Sequence, residues 1–170
     1  FQSVAIPYRK SGSIILEKEN DYWLYDNGVM SFKSSPSHGA SLFSAVVNSE
    51  ELFYSKYPNK GAYSWYKMFV GGISPYIAVP NVWEFHEFYG NIWTEPELIT
   101  NNGWYGLHYK LDSPENDFRL GNLHTEITYF TRPESPLLWA DLSITNKSGS
   151  SALIEGGISV FLNPINELMW

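Results

Sequence analysis

Apolar and polar residues alternate with a period of two over most of this sequence. The alternation is clearest in the C-terminal third, in three long segments that cover residues 123–130, 137–145 and 152–162. Because successive side chains of a β-strand point to opposite faces, a period of two predicts strands with one apolar and one polar face, as in an antiparallel sheet. The middle segment separates two sets of residues: Leu138, Ala140, Leu142 and Ile144 on one face, and Trp139, Asp141, Ser143 and Thr145 on the other.

The N-terminal part of the chain contains shorter segments of the same kind. Ser13 to Glu17 and Asp21 to Tyr25 are rich in β-forming residues, and Val29 to Lys33 follows them. The polar residues 18–20 separate the first two segments, and Asp26-Asn27-Gly28 separates the second from the third. An Asn-Gly pair readily adopts the positive φ angles of a tight hairpin turn, so these segments predict a three-stranded meander.

The middle of the chain is less regular. Residues 48–54 fit either a short helix, capped by Asn48 or Ser49, or a strand, because the segment ends in aromatic residues. Residues 71–106 are dense in Pro, Gly, Asn and Trp, which indicates loops or short strands. Within them, Gly71-Gly72 favours a glycine bulge at a strand edge over the close approach of a ligand.

Together these patterns predict an all-β, mainly antiparallel protein, most economically a β-sandwich of two packed sheets. The chain has 170 residues, the usual size of one domain, so we expect residues 1–170 to form a single domain. The apolar ends at Phe1 and Trp170 suggest a processed piece of a longer polypeptide. Trp170 then either docks onto a missing segment or a partner chain, or folds back into its own core.

Composition narrows the range of partners. The net charge is −7 at pH 7 and there is no basic cluster, so nucleic acid is a poor partner. No apolar run approaches the roughly 20 residues that cross a bilayer, which argues against a membrane. The chain has no cysteine, and this excludes disulfides and thiol chemistry. The cellular compartment stays open, because a removed signal peptide would leave the same sequence.

Aromatic residues make up 17% of the chain, and seven of them lie within residues 83–108. A sugar ring has a flat face of C–H bonds and an edge of hydroxyl groups, so its receptor combines an aromatic platform with carboxylates and amides. We therefore predict that Trp83, Trp93 and Trp104 lie open to solvent as a platform with a polar rim. The rim residues are Glu84, His86, Glu95, Glu97 and Asn102. The alternative is that these tryptophans pack in the core or in an interface.

Two histidine–carboxylate pairs are candidates for acid/base catalysis. Glu84 and His86 project to one face if their segment is extended, and His124 and Glu126 repeat the arrangement in the opposite order. The same pairs fit a metal site with nitrogen and oxygen ligands, or plain ion pairs across a strand surface. We predict neither a metal nor a cofactor.

Part of the C-terminal third resembles a known family. Residues Ile127–Phe130, Trp139–Ser148 and Ile158–Pro164 are similar to the strand–Asn-x-Ser–strand pattern of galactose-mutarotase-like β-sandwiches. Such domains occur in sugar epimerases and as non-catalytic or lid domains of many glycoside-processing enzymes. The resemblance implies a sugar ligand and a larger supersandwich of which this chain is a part. The catalytic His and Glu of the epimerases match no position here.

Three functions follow as hypotheses. The first is a carbohydrate-recognising domain associated with a glycan-processing enzyme of the glycoside hydrolase or epimerase type. The second is a structural or assembly domain whose aromatic surface packs on a partner chain, since interfaces are also enriched in Trp and Tyr. The third is that the chain is itself a glycoside hydrolase or sugar epimerase, which would use His86 or His124 with a carboxylate.

Overall fold

A computed structural model describes residues 14–59, 61–63, 66–69, 71–78, 85–87, 93–113 and 121–163. Within these ranges the chain consists of antiparallel β-strands, joined by turns and by one 3₁₀ turn at Pro36–His38. The predicted all-β class is confirmed. The strands are, in chain order, β1 (Ile15–Glu19), β2 (Tyr22–Asp26), β3 (Met30–Ser35), β4 (Ser41–Val47), β5 (Glu50–Glu51), β6 (Gly61–Tyr63), β7 (Tyr66–Phe69), β8 (Ile73–Ala78), β9 (Phe85–Glu87), β10 (Glu97–Asn101), β11 (Trp104–Asp112), β12 (Leu123–Thr131), β13 (Leu138–Asn146) and β14 (Glu155–Val160).

The strands form a larger and a smaller sheet. The larger sheet has the order β1-β2-β3-β4-β8-β14, with β5 paired to β4 and β9 paired to β8. The smaller sheet is the meander β10-β11-β12-β13. Strands β6 and β7 pair with each other as a separate hairpin.

The two sheets pack face to face, which confirms the predicted β-sandwich. The facing side chains form one buried apolar cluster. Its largest fully buried members are Tyr25, Phe32, Leu42 and Ile77 from the larger sheet, and Leu107, Tyr109, Ile127 and Tyr129 from the smaller sheet. Removing such apolar surface from water is the main favourable contribution to folding, at roughly 25 cal/mol per Å².

Strands β1, β2 and β3 form the predicted meander, each displaced by one or two residues from the predicted segment. The first turn contains Asn20, whose φ is 54°. In the second turn Gly28 takes a positive φ of 91°, whereas Asn27 acts through its side chain. Its amide oxygen accepts hydrogen bonds from the backbone N–H groups of Val29 and Met30. The predicted Asn-Gly turn is therefore present, but of its two residues only Gly28 adopts the predicted positive φ angle.

Strand β13 shows the predicted alternation most clearly. Its even-numbered residues from 138 to 144 pack against the core, and its odd-numbered residues from 139 to 145 are exposed. The third C-terminal segment behaves differently, because β14 crosses to the larger sheet and pairs with β8, with Glu155 opposite Ala78. A period of two predicts the faces of a strand but not its neighbour, so the sequence contained no sign of this crossover.

Residues 48–54 adopt the extended alternative instead of the helix. Asn48 and Ser49 form a turn with φ angles of 50° and 68°, and β5 then returns along β4. The carboxylate of Glu51 stabilises this return, because it accepts hydrogen bonds from the backbone N–H groups of Ala45 and Phe53, each at 2.9 Å. The predicted caps Asn48 and Ser49 therefore precede a short strand, Glu50–Glu51, and not a helix.

Gly71 and Gly72 form a bend at the entry to β8, with φ angles of 84° and 65°. A Cβ atom at Gly72 would lie 1.9 Å from the carbonyl oxygen of Leu42. At Gly71 it would lie 2.5 Å from the Cα of Ser55. The two glycines therefore allow neighbouring segments of backbone to approach each other closely, and this explains why the chain carries both.

Candidate functional site

The outer face of the smaller sheet combines aromatic and charged side chains. The register of β11, β12 and β13 sends alternate residues inward, where Leu107, Tyr109 and Ile127 are fully buried. The residues between them point away from the larger sheet. They are Trp104, Gly106, His108, Lys110 and Asp112 of β11, His124, Glu126, Thr128 and Phe130 of β12, and Trp139, Asp141, Ser143 and Thr145 of β13.

Three of these residues form an aromatic patch, which we define as Trp104, Phe130 and Trp139. Phe130 lies opposite Trp139 in the register of β12 and β13, and their ring centroids are 5.3 Å apart with the planes tilted by 32°. Trp104 meets Trp139 edge to face, with centroids 6.1 Å apart. Phe130 is only 8% exposed and Trp139 is 51% exposed. The patch therefore has a buried floor and one open indole.

Gly106 makes room for the floor of the aromatic patch. It lies opposite Phe130 in the register of β11 and β12. A Cβ atom at this position would come within 2.7 Å of the Phe130 ring and of the methyl group of Thr128. Because glycine has no side chain, the phenyl ring can lie over the backbone of β11 and extend the aromatic patch across three strands.

Arg132 borders the aromatic patch just after the end of β12. Its guanidinium carbon lies 5.1 Å from the centre of the Trp104 ring, a cation–π contact. Its Nη2 donates a hydrogen bond to the carbonyl oxygen of Asn102 at 3.2 Å. Asn102 and Gly103 form the β10–β11 turn, with φ angles of 48° and 78°. This turn therefore places a carbonyl group where it orients the arginine.

A polar row crosses the sheet beside the aromatic patch and consists of His108, Thr128 and Asp141. These three residues are opposite one another in the registers of β11, β12 and β13. Nδ1 of His108 lies 2.7 Å from the hydroxyl oxygen of Thr128. The row is two residues along the strands from Phe130 and Trp139, which corresponds to about 7 Å. Hydrogen-bonding groups therefore lie about 7 Å along the strands from the open indole.

Glu126 joins two histidines into a histidine–carboxylate array, which we define as His108, Glu126, His124 and Asp112. Oε1 of Glu126 lies 3.5 Å from Nε2 of His108 and 3.4 Å from Nε2 of His124. Nδ1 of His124 lies 2.8 Å from Oδ1 of Asp112, which Lys147 also contacts at 2.8 Å. Hydrogen bonds from Lys147 and His124 hold the pKa of Asp112 below its usual value.

The arrangement of this array matches ion pairing across a strand surface, one of the three alternatives for His124 and Glu126. Both side chains lie on the same face of β12, as predicted. Each histidine ring has a partner at both nitrogens, since Thr128 and Asp112 contact the nitrogens that do not face Glu126. In the described part of the chain, no group of three or more His, Asp or Glu side chains is arranged to hold a metal ion.

Trp93 is not part of an open platform. Its side chain is 3% exposed and belongs to the core cluster, so the expectation of a solvent-exposed ring is wrong for this residue. The next residue explains its position. The backbone N–H of Thr94 donates to the carbonyl of Lys110, which fastens this segment to the end of β11 and directs the preceding indole into the sandwich. The alternative of core packing is correct here.

Glu95 is held by the N-terminal hairpin of the larger sheet. Its two carboxylate oxygens accept hydrogen bonds from Nζ of Lys18 at 2.6 Å and from Nε1 of Trp23 at 2.8 Å. These two hydrogen bonds lower the pKa of the Glu95 carboxyl. Glu95 therefore acts as a tie between the sheets. Glu97 is engaged as well, in an ion pair with Lys110 at 3.1 Å.

The described residues of the predicted aromatic platform and its polar rim lie at two different ends of β11. Trp93 and Glu95 adjoin its end near Lys110, whereas Trp104 and Asn102 lie at its start. Six residues of extended chain separate these positions, or about 20 Å. The predicted constellation therefore does not come together as a single site.

His86, from the other predicted histidine–carboxylate pair, belongs to the larger sheet. Strand β9, which contains His86, pairs with β8 in the larger sheet, and the backbone of His86 is opposite Ile77. His124 and Glu126 are on the outer face of the smaller sheet, so the two segments are not neighbouring strands. Trp83 and Glu84 lie outside the described residues.

Sequence analysis missed several residues of the candidate site, among them His108, Phe130, Arg132 and Trp139. For Trp139 a signal was present, because the alternation of β13 places this large aromatic residue on the polar face beside Asp141. Its partners could not be identified in the same way. They come from β11 and β12, and only the register of the sheet brings them next to Trp139.

Comparisons of the chain with known protein families, with curated proteins and with solved structures found no match. Among the described residues, no helix is long and apolar enough to cross a lipid bilayer. A functional assignment therefore depends on the chemistry of the outer face of the smaller sheet.

Proposed function

We propose that this chain is a carbohydrate-recognising β-sandwich domain that binds a glycan on the outer face of its smaller sheet. The observation that carries this function is the open indole of Trp139, which is 51% exposed and rests on Phe130 and Trp104. A large aromatic ring that its neighbours hold in place offers a flat apolar surface at little cost in conformational entropy.

A pyranose ring suits this surface because it is apolar on its faces and polar at its edge. Stacked on Trp139, the ring removes its C–H face and the indole from water. Its hydroxyl groups then reach the polar row, where the exposed carboxylate of Asp141 accepts hydrogen bonds and Thr128 lies next to it on β12. Hydrogen bonds to a carboxylate are stronger than those between neutral groups, so Asp141 fixes the orientation of the sugar.

Recognition is better supported than catalysis. Glu126 and Asp112, the carboxylates of the histidine–carboxylate array, already face histidine nitrogens, and Asp112 also pairs with Lys147. A glycosidase needs two carboxyl groups on opposite sides of a bound glycosidic bond. The array instead lies flat on the surface of one sheet, which suits a side chain network that stabilises the binding face.

Alanine variants at the two tryptophans of the aromatic patch test this function. We expect Trp139→Ala and Trp104→Ala to weaken glycan binding by at least tenfold, or about 1.4 kcal/mol, because each removes part of the stacking surface. The measurement is a glycan-array screen with the wild type, followed by calorimetry of the best ligand with each variant.

The matched control is Leu153→Ala, which removes an apolar side chain that is 78% exposed outside the outer face of the smaller sheet. It should bind the glycan as the wild type does. Circular dichroism checks that all three variants are folded. Equal glycan affinity in Trp139→Ala, Trp104→Ala and the wild type would refute the assignment of this face.

A structural or assembly role is the second candidate, and one specific observation favours it. Leu153, Val160 and Leu162 are exposed large apolar residues in and around β14, the edge strand of the larger sheet. Exposed apolar side chains at an open sheet edge are typical of interaction surfaces. Light scattering gives the oligomeric state, and the glycan-array screen gives the response to sugars. An obligate oligomer that binds no glycan supports assembly and excludes recognition.

A further inference from the structure

Arg132 is a cation at the border of the aromatic patch, and two contacts define its position. The guanidinium group lies 5.1 Å from the centre of the Trp104 ring and donates to the carbonyl of Asn102 at 3.2 Å. Trp104 itself packs edge to face on Trp139. The arginine, its aromatic neighbour and the open indole therefore form one continuous surface.

Arg132 differs from two lysines in or next to the smaller sheet, because no acidic side chain among the described residues forms an ion pair with it. Lys110 pairs with Glu97 at 3.1 Å, and Lys147 pairs with Asp112 at 2.8 Å. Among the ion pairs of the described residues, by contrast, none includes Arg132. Although the chain has a net charge of −7, no carboxylate of the described residues neutralises this guanidinium group.

The chemistry of the guanidinium group indicates which ligand it fits. It is planar and has five N–H donors, of which Asn102 uses one. Contact with the Trp104 ring holds the group in place, so the remaining donors lose little freedom when they bind a ligand. A planar carboxylate matches two parallel N–H groups of a guanidinium, and this charge-assisted, two-point pairing is stronger than hydrogen bonds between neutral groups.

From this juxtaposition we infer that the ligand is an acidic sugar, a glycan that contains hexuronic acid residues, with its carboxylate on Arg132 and its ring on the aromatic patch. The inference rests on the proposed function and adds the chemical class of the glycan. A hexuronic acid combines the apolar ring face that suits Trp139 with a carboxylate at the ring edge. A sulfated sugar is also anionic, but its tetrahedral sulfate lacks the flat shape of a carboxylate.

The experiment compares acidic oligosaccharides with neutral sugars of the same backbone. The ligands are oligomers of galacturonate, glucuronate and mannuronate, each beside its carboxyl-reduced form, and one sulfated neutral oligosaccharide. Affinity is measured by calorimetry at about 0.15 M salt, where screening limits the repulsion between the acidic protein and an acidic ligand to about 8 Å. The proteins are the wild type, Arg132→Gln, Arg132→Lys and the control Lys147→Gln.

We expect the wild type to bind at least one uronate oligomer tenfold or more tightly than its carboxyl-reduced form. Arg132→Gln should abolish this preference, so that it binds the uronate oligomer and its carboxyl-reduced form with equal affinity. Arg132→Lys should keep part of the preference, since it retains the charge without the fork of donors. Lys147→Gln should behave as the wild type. Near-ultraviolet circular dichroism checks that the tryptophan environment survives in every variant.

The other results are equally informative. Equal affinities for the acidic and reduced forms overturn the inference but leave carbohydrate recognition standing. A sulfated ligand that binds more tightly than every uronate, with the same loss in Arg132→Gln, also overturns it. If no oligosaccharide of either kind binds to the wild type, the proposed function itself fails.

Discussion

Asn27 shows how a single buried amide can organise a loop and connect two sheets. Its side chain is 1% exposed and forms four hydrogen bonds. Nδ2 donates to Oγ1 of Thr131 at 2.6 Å and to the carbonyl of Ser135 at 2.9 Å, beyond the end of β12. Oδ1 accepts from the backbone N–H groups of Val29 and Met30. The β2–β3 turn is thereby fastened to the smaller sheet.

We predict that Asn27→Ala lowers the free energy of unfolding by about 3 kcal/mol, because it leaves several buried polar groups without partners, each costing roughly 1–3 kcal/mol. Urea denaturation measures the change. Asn101→Ala is the matched control, since Asn101 is exposed on β10 and its loss should cost less than about 0.5 kcal/mol. Equal stability of the two variants would show that the hydrogen bonds of Asn27 are replaced by water.

At the level of strands, glycines decide how closely two segments approach. Gly72 has a positive φ of 65°, and its Cα faces the carbonyl of Leu42 so closely that a Cβ would lie 1.9 Å from the oxygen. Gly156 in β14 is different, because a Cβ there would meet the Cδ1 methyl group of Ile144 at 2.5 Å. A backbone carbonyl cannot move aside, whereas the end of an isoleucine side chain can change rotamer.

We therefore expect two Gly→Ala changes to lower the stability of the folded protein by very different amounts. Gly72→Ala should destabilise the protein by more than about 3 kcal/mol or prevent folding, since it combines strained φ with a backbone clash. Gly156→Ala should cost less than about 1 kcal/mol. Thermal unfolding followed by circular dichroism compares them. A Gly72→Ala protein with the midpoint of the wild type would contradict the backbone packing at the entry to β8.

Across the whole molecule, three buried tyrosines connect the two sheets through their hydroxyl groups. Tyr25 donates to the carbonyl of Tyr105 at 2.6 Å, and Tyr109 donates to the hydroxyl of Ser34 at 2.8 Å. Tyr129 donates to the carbonyl of Ala40 at 2.8 Å. Burial raises the pKa of all three phenols above the usual value, because a phenolate loses its hydration inside the sandwich.

This burial predicts alkaline unfolding. The tyrosines of the unfolded chain lose their protons near pH 10, whereas the folded protein keeps them to higher pH. Stability from these groups is therefore complete below pH 10 and falls as the pH rises above it, by up to roughly 1.4 kcal/mol per pH unit for each tyrosine. Urea denaturation at a series of pH values gives the slope, and tyrosinate absorbance shows when the phenols ionise.

We expect the buried phenols to ionise only as the strands unfold, so absorbance and circular dichroism should change at the same pH. The control is Tyr25→Phe, which keeps the ring but removes one hydroxyl. It should cost about 1 kcal/mol at neutral pH and make the alkaline slope shallower. Ionisation of all three phenols in a protein that keeps its native circular dichroism would contradict the burial of these hydroxyls.

Local sequence predicted which residues share the outer face of a single strand. It did not predict which residues of different strands meet on that face. The alternation of β13 placed Trp139 and Asp141 on one face, and that of β12 placed His124 and Glu126 together. Sequence analysis assigned no functional role to Arg132. Its contact with Trp104 depends on the register of β11 and β12, which joins residues distant in the chain.

The tryptophan cluster illustrates the opposite case. Trp93 and Trp104 are close in sequence and have the same chemistry, yet one is in the core and the other on the outer face. The chain reverses between them at Asn102 and Gly103. The two tryptophans therefore lie near opposite ends of β11, about 20 Å apart along the strand. Sequence density of aromatic residues therefore identified a region rich in tryptophan but not a site.

Local physics was sufficient for the strand class, for the two faces of each regular strand and for the positions of most turns, because side-chain alternation and turn chemistry act within a few residues. Folding in three dimensions was needed for the choice of strand neighbours, the crossing of β14 to the larger sheet, and the division of the tryptophans between core and surface. These features depend on contacts between distant segments, and a one-residue change of register would exchange the buried and open faces of any strand.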